Sequence, residues 1–455
     1  MDFSQIDKWI EEALPDMEQD LASLVKYNSV EAEAKEGAPF GTEVEKTLEA
    51  ALSMCDRLGF TTVNADGYYG YADMKGSGEG MMGVLGHLDV VPAVPEDWNT
   101  DPFTLTDIDG KLYARGTIDD KGPMVAAIYG AKAVFAHNLP HTKTLRFIFG
   151  TNEETGMKGV EVYIEKEKLP DGGFTPDADW PIIVGEKGVC HFSLDATWAD
   201  EDGECKLLEL TSGTAANIVP AKAVAKIKTA AKLPEAEDIS VSYEDGVATV
   251  TATGVATHGS IPMCGKNALA RLIKYLAGLT FAPAGANAYI KKIAALAEDE
   301  IYGASMGLSS KDELSDTTVS LNMSSISCCG GKAVFDMRYI LSDNKEHRQQ
   351  MLEKLAADNG LTLDIFNLCN PLYLGENNPM VLGLLESYRE VTGDMTEPEV
   401  IGGGTYAKVM PNFVAFGPEP SQGPMRAHEA NEYITKDELV TAAKIYARGI
   451  YSMIK

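Results

Sequence analysis

Positive charge is scarce in this chain: 39 Lys and Arg stand against 68 Asp and Glu, a formal net charge of -29. That balance argues against nucleic acid or an anionic membrane surface as the main partner, because both need a basic face. It is compatible with a site that handles cations, although most of these carboxylates read as solvated surface. Cysteine is sparse too. Seven cysteines, an odd number with no CxxC spacing and one adjacent pair, Cys328-Cys329, read as reduced thiols of a cytoplasmic protein rather than a disulfide framework. No apolar run reaches the roughly 18 residues that a membrane span needs. The opening MDFSQIDKWIEEALPDM lacks the basic and apolar regions of a signal peptide. Phe3, Ile6, Trp9 and Ile10 at helical spacing make it an amphipathic helix instead. Short-period repeats, low-complexity tracts and long linkers are missing. The glycines of IGGGTYA are not followed by the GK[ST] of a phosphate loop.

A chain of 455 residues is long enough for two domains. From about 1 to 187, helical patterns alternate with short apolar runs at Met81 to Gly86, Leu145 to Phe149 and Pro181 to Val184, and one more follows at Asn412 to Phe416. Such runs between helices predict an α/β domain with a mixed, mostly parallel sheet and helices on both faces. A long helix is expected after Asp120, with Val125, Ala126, Ile128, Tyr129, Ala133 and Val134 as its buried stripe. Gly76 to Gly80 reads as a hairpin-like loop. Over 188–371, two-residue alternation takes over. Ser240 to Val250 reads as a hairpin on Asp245-Gly246, Thr318 to Ile340 as a second, and Asn267 to Leu279 as a helix. This predicts an inserted α+β lid domain at 188–371, its antiparallel sheet open on one face. The catalytic domain is then discontinuous, 1–187 and 372–455. Its last stretch carries a helix over Pro379 to Val391 and another that opens on the capping box Thr435-x-x-Glu438.

In an open α/β sheet, ligands bind beyond the carboxyl ends of the strands. Those ends carry an unusual set of residues here. The run 81–86 leads into His87 and Asp89, and 145–149 into Glu153 and Glu154. Asp177 and Glu186 bracket 181–184, 412–416 leads to His428 and Glu429, and Asp119-Asp120 opens the long helix. Imidazoles and carboxylates on one sheet edge suit Zn²⁺ or Mn²⁺. A metal also explains why a buried strand finishes in two adjacent carboxylates. One can be a ligand, and the other can stay unligated with a raised pKa as a general base. Asp89, two residues past His87, can accept the other imidazole N–H. In Ala333 to Tyr339, alternation puts Phe335, Met337 and Tyr339 on the packed face. It puts Arg338 on the open one, where a guanidinium can hold a carboxylate bidentately. His137, His141, His191 and His347 read as surface or packing residues.

GHLDVVP (86–92), WNTDPF (98–103), ARGTIDDKGP (114–123), GTNEETG (150–156), GVATHGSIP (254–262), IGGGTYA (401–407) and GPMRAHEANE (423–432) occur in one chain. Together they resemble the di-metal amidohydrolase superfamily of aminoacylases, desuccinylases and dipeptidases. TPDADWPIIVGEKG and IGGGTYAKV are most similar to the PepV-type dipeptidases of bacteria. The resemblance covers essentially the whole chain. It implies two divalent metal ions, Zn²⁺ ahead of Mn²⁺. Asp119 would bridge them, with a cis Asp119-Asp120 peptide. His87 and Asp177 would complete one site, and Glu154 and His428 the other. Many superfamily members use an acidic residue placed like Glu186, whereas the local match favours Asp177. Glu153 would be general base toward the bridging water, then general acid to the leaving amine, and Asp89 would orient His87. His258 would stabilise the oxyanion. Asn217, Arg338 and the backbone of Gly403, Gly404 and Thr405 would bind substrate.

The reaction so implied is hydrolysis of unblocked dipeptides, with Arg338 gauging length at the C-terminal carboxylate and lid closure completing the site. The alternative is deacylation of N-acyl amino acids with the same metals. The enlarged inserted domain implies a monomer acting on a small-molecule substrate, with no nucleic-acid or membrane partner.

Overall fold

The structure is a computed structural model that describes residues 2–297, 301–420 and 425–455; Gly423 and Pro424 of the last quoted motif lie outside them. The chain divides into two compact units. The first comprises Met1–Gly185, Leu374–Glu399 and Thr405–Lys455, and the second Glu186–Tyr373 and Val400–Gly404. Sequence reading leaves 400–404 with the catalytic part; the structure groups it with the second unit.

The first unit is built on a mixed sheet. From one edge its strands run Thr61–Asn64, Tyr69–Met74, Thr144–Gly150, Met81–His87, Gly172–Thr175, Phe413–Ala415 and Ile183–Glu186. The central pairs are parallel, so His87, Gly150 and Thr175 finish at the same edge. Burial drives this arrangement. Leu145, Phe147, Ile148 and Phe149 have no exposure at all, and each such side chain contributes about 1.5–3 kcal/mol on leaving water. The loop Gly76 to Gly80 is not a hairpin. The strands on either side of it both pair with Thr144–Gly150, one antiparallel and one parallel.

The long helix spans Lys121–Ala136 and is buried nearly all round, with Met124, Ala127 and Ala131 covered beside the expected stripe. Helices Ser4–Glu12, Leu14–Val25 and Lys436–Ile454 all pack on it. Periodicity reveals one buried face; it cannot count how many neighbours cover a helix. The last helix starts at the expected capping box, where Thr435 and Glu438 satisfy each other's backbone N–H groups.

The second unit holds an eight-stranded sheet in the order Ile239–Glu244, Val247–Thr253, Lys222–Thr229, Cys205–Ser212, Thr318–Ile326, Gly330–Tyr339, Gly188–Thr197 and Thr362–Cys369, antiparallel throughout. Helices Ala268–Ala277 and Ala284–Leu296 cover a core that includes Phe192, Leu207, Ile227, Leu272, Ile290, Phe335 and Met337. All seven cysteines are unpaired. Among the described residues no helix is long and apolar enough to cross a membrane.

Candidate metal centre

The carboxyl edge of the first unit's sheet gathers two ligand-like groups: His87 with Asp119 and Asp177, and Asp119 with Glu154 and His428. Within each group the donor atoms lie inside 4.8 Å of one another. Asp119 belongs to both, and its two oxygens divide between them. Oδ1 lies 2.8 Å from His87 Nε2 and Oδ2 lies 3.0 Å from His428 Nε2. Asp177 Oδ2 is 3.9 Å from His87 Nε2, and Glu154 Oε2 is 3.1 Å from His428 Nε2. Each group thus offers one imidazole nitrogen and two carboxylates, a donor set that fits Zn²⁺ or Mn²⁺. Glu186 is fully buried and belongs to neither group. The Asp119-Asp120 peptide is cis.

The supporting contacts differ in one respect from expectation. His87 Nδ1 donates to the main-chain carbonyl of Asp89 at 3.0 Å, while the Asp89 carboxylate stands farther off at 3.6 Å. A carbonyl can only accept, so Nδ1 carries a proton, and Nε2 is the nitrogen that faces Asp119 and Asp177 and can ligate once it is deprotonated. The Asp89 carboxylate instead accepts the backbone N–H groups of Glu153 and Glu154. Asp120 Oδ2 accepts the His87 backbone N–H at 3.1 Å.

So many acids around two imidazoles reshape their proton affinities. Burial works against a charged His87 ring, but Asp119 and Asp89 outweigh it and hold its pKa well above the usual value. Hydrogen bonds to Asp119 and Glu154 raise His428 to about 11. Burial disfavours the Asp119 carboxylate, yet pairing with His428 and His87 keeps it below the usual range. Burial and the charge of Asp119 lift Asp177 to about 7. Burial also lifts Glu153 well above an ordinary glutamate; His87 opposes this, and Asp177, Glu154 and Asp89 add to it. That is the environment of an acid–base group.

In the second unit the other sequence candidates form their own cluster. Ile218–Val219 pairs with Thr257–His258, and Asn217 O accepts the Gly259 N–H at 2.7 Å. His258 Nδ1 accepts the Ser260 N–H at 3.2 Å and lies 2.6 Å from Ser260 Oγ. A neutral ring that accepts at Nδ1 holds its proton on Nε2. Arg338 is not the solvent-facing guanidinium that alternation suggests. It is 4% exposed. Its Nε and Nη2 donate to the two oxygens of Asp336 at 2.7 and 2.8 Å, and Nη1 donates to Gly402 O at 2.8 Å. Gly403 and Gly404 belong to the same strip of the second unit, and Thr405 caps the turn Tyr406–Lys408 in the first. Asp336 escaped the sequence reading, although it stands two residues from Arg338 on the same strand face. His191, read as a packing residue, sits 3.4 Å from Asp336.

These two constellations can be set beside known proteins. The model of peptidase family M20/M25/M40 matches residues 83–452. The Beta-Ala-Xaa dipeptidase of Lactobacillus delbrueckii subsp. lactis is 33% identical over 460 residues, covering 96% of each chain. Human carnosine dipeptidase 1 shares the fold with a TM-score of 0.59 at 20% identity, over 99% of both chains. A dinuclear metal binding peptidase of the M20 family from Bacillus subtilis aligns with a TM-score of 0.51 at 14% identity, over 98% of this chain and 99% of that one. With a sheet edge that presents two ligand groups joined at one aspartate, and a family match over most of its length, the chain belongs to peptidase family M20/M25/M40 and is a metallopeptidase that hydrolyses amide bonds.

Proposed function

We propose that the substrates are unblocked dipeptides and that the chemistry centres on Asp119. The observation that carries the metal chemistry of this reading is the division of the Asp119 oxygens between His87 and His428. Asp119 would serve both metal ions, with His87 and Asp177 holding one and Glu154 and His428 the other. The ions are Zn²⁺ or Mn²⁺. Two such ions, when bound, supply Lewis acidity to the scissile carbonyl and to the attacking water.

The chain's own residues do the rest. Glu153 takes the proton of the attacking water and returns it to the departing amine, a shuttle that its raised pKa favours. His258 donates from Nε2 to the oxygen on which negative charge develops, the tautomer supported by the Ser260 N–H at Nδ1. Arg338 takes the C-terminal carboxylate of the substrate with the Nη1 and Nη2 N–H groups left over from Gly402 and Asp336, and Asn217 with the backbone of Gly403, Gly404 and Thr405 completes substrate binding. The names of the dipeptidase relatives favour dipeptides over N-acyl amino acids.

The test uses metal-stripped protein with Zn²⁺ or Mn²⁺ restored. Turnover of unblocked dipeptides is compared with that of N-acetyl amino acids and tripeptides. Metal-dependent cleavage confined to free dipeptides supports the proposal. Preferential cleavage of the N-acetyl compounds moves the protein to a deacylase activity and overturns the substrate reading.

A further inference from the structure

Two stretches meet beside the metal centre: the loop that begins at Trp98, which supplies neither ligand nor base, and the turn that carries His428 and ends at Glu432. Strand Tyr433–Thr435 pairs antiparallel with Lys111–Tyr113, which brings Glu432 and Arg115 together. Both are buried, at 1% and 3% exposure. Arg115 Nη1 donates to Glu432 Oε2 at 2.7 Å. Glu432 Oε1 accepts the backbone N–H groups of Ile118 at 2.9 Å and of Asp119 at 3.3 Å. Arg115 Nη2 donates to the main-chain carbonyl of His428 at 3.4 Å.

The backbone of His428 needs such support. Its φ is +65°, in the left-handed region that a histidine adopts only when its surroundings impose it. The surroundings are themselves braced. The Arg115 guanidinium lies 5.2 Å from the Trp98 ring, and the Arg115 N–H donates to Pro102 O at 2.8 Å. Asn431 ties the His428 turn to the Trp98 loop, accepting from the Asn99 N–H at 2.7 Å and donating to Asp97 O at 3.3 Å.

We infer that Glu432 and Arg115 are positioning residues that set the spacing of the two metal sites. Glu432 fixes the main chain beneath Asp119, and Arg115 fixes that of His428. This inference rests on the metal-centre reading above. Asp119 must offer one oxygen to each side, so a small rotation of its main chain misplaces both sites at once. Replacing Glu432 by Gln would turn an amide N–H group toward either the guanidinium or the backbone donors, and neither can accept it. Replacing Arg115 by Lys keeps a charge for Glu432 but cannot span to the His428 carbonyl as well. A pair with only a structural role would change folding stability and leave metal affinity alone.

The test titrates metal-stripped, full-length wild type, Glu432→Gln, Arg115→Lys and Asn431→Gly with Zn²⁺, and separately with Mn²⁺, against a chromophoric chelator. Thermal unfolding of the same metal-free samples is followed in parallel. Asn431 is itself left-handed, at φ +62°, so Asn431→Gly keeps that backbone and the Glu432–Arg115 pair while cutting the brace. Glu432→Gln is expected to weaken both binding steps by about 10–100-fold, the size typical of groups that support metal ligands. Arg115→Lys and Asn431→Gly should weaken one step more than the other. Wild-type affinities in Glu432→Gln and Arg115→Lys overturn the inference. So does loss of the cooperative transition in those two with unchanged binding by Asn431→Gly, which would assign the pair to folding alone. A wild type that binds no metal would instead overturn the underlying metal-centre reading.

Discussion

The Asp89 carboxylate accepts the backbone N–H of Glu153 through one oxygen, and that of Glu154 through the other, each at 3.0 Å. One buried side chain therefore fixes the two peptide units from which the proposed base and a proposed ligand project. Its own carbonyl meanwhile holds His87 Nδ1. Asp89→Asn keeps the size but replaces one acceptor by an N–H₂ group that faces a backbone N–H. We expect kcat to fall by about 10–100-fold, in line with other supporting groups at metal sites, with little change in KM. Steady-state kinetics with metal content measured on the same sample checks this. Wild-type kcat in the variant would show that the clamp is dispensable.

Glu153 lies in the same acidic pocket as the ligand groups yet belongs to neither of them. Glu153→Ala should lower turnover by about 10²–10⁴-fold, the usual worth of a positioned general base, while two metal ions remain bound. The decisive pair of measurements is activity and metal stoichiometry. Undiminished turnover removes Glu153 from the mechanism; loss of a metal ion makes it a ligand.

Metal binding should release protons. His428 is raised to about 11, Asp177 to about 7 and His87 well above its ordinary value, so all three hold protons near neutral pH in the absence of metal. Ligation needs the deprotonated forms. Apparent metal affinity is therefore expected to rise with pH across the range from about 6 to 9. Calorimetric titrations in buffers of different ionisation enthalpy would reveal the proton release. The sign for metal-free stability is the opposite. A histidine whose pKa is raised on folding stabilises fully below its unfolded value near 6.5, and that contribution is lost as pH climbs toward about 11. Metal affinity that is flat across this range would contradict both statements.

The parallel sheet and the residues at its carboxyl edge were legible because each depends on local pattern: apolar runs that end in His or Glu. Long-range partnerships were not. The second face of the Gly330–Tyr339 strand was expected to be open, since alternation records only what a strand offers and not what returns to cover it. Arg338 is covered by residues far away in the chain, among them Gly402. Glu432 stood four residues after His428 in a quoted motif, but no spacing rule links it to the Asp119 backbone. The loop Gly76 to Gly80 resembled a hairpin for the same reason: sequence adjacency does not disclose that a third strand enters between its neighbours.

Gly259 offers a direct probe of the covered face. A Cβ there would come within 2.2 Å of Asp336 Oδ2, far inside any real contact. Asp336 has little room to retreat. It is fully buried, gripped by the Arg338 fork, and His191 stands 3.4 Å away. Burial would raise its pKa, but His191 and Arg338 together hold it below the usual carboxylate value, so it stays ionised and needs those partners. Gly259→Ala must therefore shift either the Asp336–Arg338 pair or the turn that carries His258. Overpacking of this kind costs about 1–3 kcal/mol, whereas removing one partner of a buried ion pair costs about 3–5 kcal/mol. Asp336→Ala should accordingly destabilise more than Gly259→Ala. Gly259→Ala should lower kcat/KM at least as visibly as it lowers the unfolding midpoint, because the displaced groups are the proposed carboxylate and carbonyl contacts. Thermal unfolding and steady-state kinetics of the two variants separate these effects. Wild-type values of both in Gly259→Ala would mean that the side chains around Gly259 are looser than their contacts indicate.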